Sequence, residues 1–91
     1  MDEATVDDLY EQLAATGERP VERSASRWLG EAEAIAGDVA QSDLDPAVRQ
    51  ERLAKVGELL DHVETTGDEQ ADHHVDAARA IVAELQTENG G

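Results

Sequence analysis

The sequence predicts an all-α protein: an antiparallel three-helix bundle with an additional short N-terminal helix, four helices in total. Three observations carry this. Apolar residues recur at three- and four-residue spacing through each long segment. Cap and turn residues (Gly17 to Pro20, Asp45-Pro46, Gly67-Asp68) divide the 91 residues into four such segments. No stretch shows the apolar–polar alternation of a half-buried strand. The expected helices span about 6–15, 21–41, 46–65 and 69–86 of one domain, 1–91, with 87–91 as a frayed tail.

The first helix is expected to open at Thr5, where Asp8 three residues on makes an acidic capping box. Val6, Leu9, Tyr10 and Leu13 share its inner face, and Gly17 is expected to end it in a left-handed conformation. The second helix carries the widest apolar arc, with Val21, Ala25, Trp28, Leu29, Ala32, Ile35, Ala36 and Val39 within roughly 120° of the wheel. Trp28, the lone tryptophan, is expected to be the core anchor. Gly30 and Gly37 fall outside the arc, and the pattern supplies no reason for them.

Asp45-Pro46 opens the third helix, with an acid at the N-cap and proline at the first helical position. Val48, Leu53, Val56, Leu59, Leu60 and Val63 point inward, and Gly67 closes the segment. Asp68 caps the fourth helix, whose inner face is Ala71, Val75, Ala78, Ile81, Val82 and Leu85. Short links make sequence neighbours antiparallel.

Composition narrows the function classes. There is no cysteine, so neither a disulfide framework nor a thiolate metal site is available. The start, MDEATVDDLY, is acidic and no apolar run reaches the ~18 residues of a membrane span, so the expected address is the cytoplasm. Acids number 22 against 7 bases, a net charge of −15, and Lys55 is the single lysine. Leu, Ile, Val and Phe sum to 18 residues, which leaves disorder and a salt-adapted fold as competing readings. The periodicity favours the fold, since about 1 M salt cuts the Debye length to ~3 Å and screens such a surface.

This Asp/Glu-rich, Ala-rich, lysine-poor chain, with stretches such as RWLGEAEAIA and DLDPAVRQERL, resembles small helical haloarchaeal proteins of an uncharacterised family. No activity attaches to that resemblance. It implies no functional residue.

Two groups of side chains are candidates for function. His62, His73 and His74, with Asp72 and the neighbouring Asp61 or Asp76, could offer nitrogen and oxygen ligands to a divalent metal across the third hairpin. Adjacent histidines on a helix point about 100° apart, however, and His74 falls within the apolar arc as a partly buried, hydrogen-bonded residue would. Arg19, Arg23 and Arg27 form a ridge at four-residue spacing, and Arg49, Arg52 and Lys55 cluster at the start of the third helix. Such ridges either pair locally, Arg27 with Glu31 and Glu51 with Lys55, or dock on an acidic partner.

No P-loop, GxGxxG, HExxH or nucleophile elbow is present, so the chain is expected not to be an enzyme and to carry no cofactor. A surface this negative repels phosphate and anionic lipid, which argues against direct nucleic-acid binding and against a membrane surface. The sequence therefore reads as a protein–protein interaction or accessory module, with self-association as one form of it. Metal binding through the histidines is the alternative, and acidic mimicry of nucleic acid a more distant one.

Overall fold

A computed structural model of the chain describes residues 5–89, with side chains through 86. It contains four helices: α1 (Val6–Thr16), α2 (Arg23–Gln41), α3 (Pro46–Asp61) and α4 (Glu69–Asn89). The all-α bundle expected from the pattern is what forms. α1 packs on α2 and α4, and α3 packs on the same two helices, while α1 and α3 stay apart, as do α2 and α4. The short first helix thus occupies the fourth corner of a square, opposite α3.

One core runs through the square. Leu9 and Leu13 of α1, Leu29 and Ala32 of α2, Leu53, Val56 and Leu60 of α3, and Val75, Ala78 and Val82 of α4 are all buried. Fully burying a leucine or valine stabilises by roughly 1.5–3 kcal/mol, so this set outweighs any surface term in the molecule. The buried stripe of α2 is Ala25, Leu29, Ala32, Ala36, Gly37 and Val39.

The Trp28 indole is half-buried and packs against the core from its edge. It is therefore not the central anchor that its rarity suggested. Tyr10 is a similar correction: expected inward, it is 36% exposed and its ring lies over Gly37, where an added Cβ would come within 3.2 Å of it. Gly37 thus has a packing reason. Gly30 has none among the described residues, since a Cβ there would meet nothing of theirs within 4 Å.

Several helix ends form as expected. Thr5 accepts from the Asp8 N–H and donates its own N–H to the Asp8 carboxylate, completing the capping box. Pro46 opens α3, although Asp45 takes the N-cap backbone position without a side-chain hydrogen bond.

Other ends differ. Gly17 stays right-handed (φ −68°), and the chain leaves α1 through two tight turns in which Glu18 and Arg19 donate to Ala15 and Thr16. α2 starts at Arg23 rather than Val21, because the Glu22 N–H bonds the Thr66 carbonyl at 2.7 Å and holds that residue extended. α3 ends at Asp61 rather than near 65, and the chain leaves it through a tight turn in which His62 and Val63 donate to Leu59 and Leu60. The backbone of α4 is helical through Asn89, so part of the expected tail is ordered; Gly90 and Gly91 lie outside the described residues.

Candidate interaction surface

The densest polar cluster sits where the α1–α2 and α3–α4 links meet. Gly67 adopts φ +81°, turning the chain so that Thr66 is fully buried beneath the start of α4. The Asp72 carboxylate accepts the Thr66 N–H at 2.7 Å, the Thr66 hydroxyl at 2.9 Å and the Thr65 hydroxyl at 3.2 Å. The Thr66 N–H, then its hydroxyl, hold the Asp72 carboxyl below the usual carboxylate range against the opposing effect of burial. Asp68 caps α4 by accepting the Ala71 N–H at 2.9 Å and takes a forked contact from Arg19 at 3.0 and 3.1 Å. Arg19 first, and the Ala71 N–H next, lower the Asp68 pKa; Asp68 raises that of Arg19.

Arg79 completes the cluster from α4. Its Nη2 donates to the carbonyls of Leu60 and Val63 at 2.7 and 2.5 Å, supplying partners for the end of α3. Its Nη1 also contacts Asp76 at 3.3 Å. The Leu60 carbonyl also accepts the Val63 N–H at 3.0 Å, so Arg79 braces the tight turn in which the chain leaves α3. Arg79 was not singled out from the sequence, and neither was Thr66.

The metal-ligand candidates do not converge. The His62 ring stacks on Trp28, with centroids 4.3 Å apart and planes 14° from parallel. His74 Nδ1 lies 2.7 Å from Gln12 Oε1, joining α4 to α1 in the half-buried position its place on the wheel suggested. His73 is exposed on the next face, and Asp72 is engaged by the threonines. Among the described residues no group of three or more histidines and carboxylates is placed to hold a metal ion.

The arginine ridge divides. Arg19 is consumed by Asp68, whereas Arg23 and Arg27 stand exposed on the outer face of α2. The expected local pairs, Arg27 with Glu31 and Glu51 with Lys55, do not form; among the described residues the ion pairs are Arg19–Asp68 and Arg79–Asp76. These carboxylates reach water at little cost, and an exposed i,i+4 pair is worth only about 0.3–0.5 kcal/mol.

At the other end of the bundle, Arg49 lays its stem inward beside Val6, Val39 and Leu44 in a recess of about 250 Å³. Its Nε is shut off from solvent without a hydrogen-bond partner among the described residues. Arg52 is exposed nearby. The two arginine groups therefore occupy opposite ends of the molecule rather than one surface.

What the arrangement defines is a small four-helix bundle with an acidic surface, one polar-stitched end and an exposed α2 face bearing unpaired cations. The chain belongs to the family described as a domain of unknown function, DUF8152, which matches residues 5–91. Comparison with curated proteins and with solved structures gives no match. Among the described residues no helix is long and apolar enough to cross a membrane.

Proposed function

We propose that this chain is a protein–protein interaction module that works in the cytoplasm at high salt, and that the outer face of α2 is its docking surface. The observation that carries the reading is the state of Arg23 and Arg27. In a chain with 22 acids and 7 bases, these two guanidinium groups are exposed and join no ion pair with any described residue. Each is a fork of donors suited to carboxylates, free to meet a partner. The net charge of −15 opposes any association in dilute buffer, and about 1 M salt removes most of that opposition.

The test is chemical cross-linking in about 1 M KCl, where the Debye length is ~3 Å, with the protein alone and in extract of its source cells. Wild type is compared with Arg23→Glu/Arg27→Glu. The expected result is a defined adduct, with a second copy or a specific second protein, that the variant loses. Adducts identical for both proteins, or none in either setting, overturn the reading.

A further inference from the structure

We propose that the partner of this face is a second copy of the chain: two α2 helices lie antiparallel across a two-fold axis, with Arg27 of each opposite Asp38 of the other. The proposal rests on the interaction reading above and adds the partner, register and symmetry.

Charge complementarity chooses the occupant. Along the outermost line of α2, Arg23 and Arg27 occupy the first turns, Gly30 and Ala34 the middle, and Asp38 and Gln41 the last turn, all exposed. The face is basic at its N-terminal end and acidic at its C-terminal end. A parallel copy would set like charge on like charge. A reversed copy sets cation on anion at both ends.

The spacing agrees. At about 1.5 Å rise per residue, Arg27 lies ~7.5 Å before Ala32 and Asp38 ~9 Å beyond it. The two are only about 20° apart on the wheel and on the same side of the Gly30–Ala34 line. A two-fold axis normal to the helix pair reverses direction but keeps that side. Arg27 therefore meets Asp38 of the second copy twice, Gly30 meets Ala34, and Arg23 falls level with Gln41.

Gly30 supports the same arrangement from a different direction. Glycine inside a helix costs up to about 1 kcal/mol relative to alanine. The described residues give no reason for it, since none of them lies within 4 Å of a would-be Cβ. At the centre of an antiparallel pair the missing side chain lets two helices approach to about 8 Å, the close end of helix packing. Beside that line lies an open groove of about 470 Å³ between Tyr10, Glu33 and Asp38, in which the exposed ring of Tyr10 would gain cover. One helix face from each copy makes a small interface, on the order of 1,000 Å² in total, so a dissociation constant in the micromolar range is expected.

The experiment is the solution mass by light scattering and sedimentation in about 1 M KCl, up to roughly 1 mM protein, well above a micromolar dissociation constant. Wild type should double its monomer mass. Arg27→Asp and Asp38→Arg should each weaken the dimer at least tenfold, and the double reversal Arg27→Asp/Asp38→Arg should restore it. Gly30→Leu should give monomer with unchanged helicity, because the site is exposed and open. A wild type that stays monomeric overturns the self-partner, while the extract cross-link above separately decides the interaction reading. A dimer indifferent to both single reversals, or single losses that the double reversal leaves unrepaired, overturns this surface and register.

Discussion

The turn after α3 offers a quantitative test of what one long-range side chain contributes to the bundle. Arg79→Met keeps most of the aliphatic stem and removes the guanidinium that donates to the Leu60 and Val63 carbonyls. Hydrogen bonds to a charged donor contribute about 1.5–3 kcal/mol each when well shielded. The Arg79 side chain is 36% exposed, so water competes and about 1 kcal/mol per bond is the appropriate figure. The variant should lose about 2 kcal/mol, which for a domain of this size lowers the melting temperature by about 10 °C. Urea and thermal unfolding followed by circular dichroism measure this directly. Asp76→Asn is the internal control, since its surface contact with Arg79 at 3.3 Å should be worth less than about 0.5 kcal/mol. If Arg79→Met unfolds within about 0.5 kcal/mol of wild type, the carbonyls do not need the guanidinium, and the stabilising role assigned to Arg79 is wrong.

Two further outcomes follow from the same corner. Asp68 and Asp72 have lowered pKa values, so their contribution is fully present above the ordinary value of 3.8 and is lost as pH falls through their lower folded values. The gap in urea midpoint between wild type and Asp72→Asn should therefore be widest above about pH 5 and shrink below 3.8; a gap constant down to pH about 2 would contradict the hydrogen bonding assigned to Asp72. Gly67 holds φ +81°, and an added Cβ would approach Glu22 Cγ to 3.0 Å. Gly67→Ala should cost about 1–2 kcal/mol in unfolding free energy, mostly backbone strain, and Gly67→Asn less; an alanine variant as stable as wild type would exclude that conformation.

Much of the architecture was readable from the chain because it is local or periodic. The Thr5–Asp8 capping box needs residues only three apart, and Pro46 needs no partner at all. The inner face of α4 follows from its spacing: Ala71, Val75, Ala78, Val82 and Leu85 are all buried. What failed depends on volume or on where the chain returns. Periodicity marks Trp28 and Ala36 alike as inward, but Ala36 is fully buried and Trp28 only half-buried at the edge of the core. Arg79 caps carbonyls 16 and 19 residues earlier, and Arg19 pairs 49 residues on; neither separation leaves a mark in the pattern. Thr66 could have been found, since a threonine two residues before the Asp68 N-cap is a common local hydrogen-bonding arrangement. The proposed docking face was half legible: the four-residue spacing of the arginines is in the sequence, but that Arg19 is spent on Asp68 while Arg23 and Arg27 pair with no described residue is a tertiary fact.

The polar cross-links are confined to one end of the bundle, and this sets a gradient of protection along its axis. At the Thr66 end, the Glu22–Thr66 backbone bond, the Arg19–Asp68 fork and Arg79 tie both links to each other and to α4. At the Asp45 end, the link from α2 to α3 has no side-chain cap, borders an unfilled recess and faces an Arg49 nitrogen without a partner among the described residues. Opening the second end breaks few bonds, whereas opening the first breaks many at once. Amide protons around residues 40–50 are expected to exchange through smaller openings than the bonded amides of Glu22, Thr66 and Asp68. The Asp45 end of the bundle is expected to open first and the Thr66 end last.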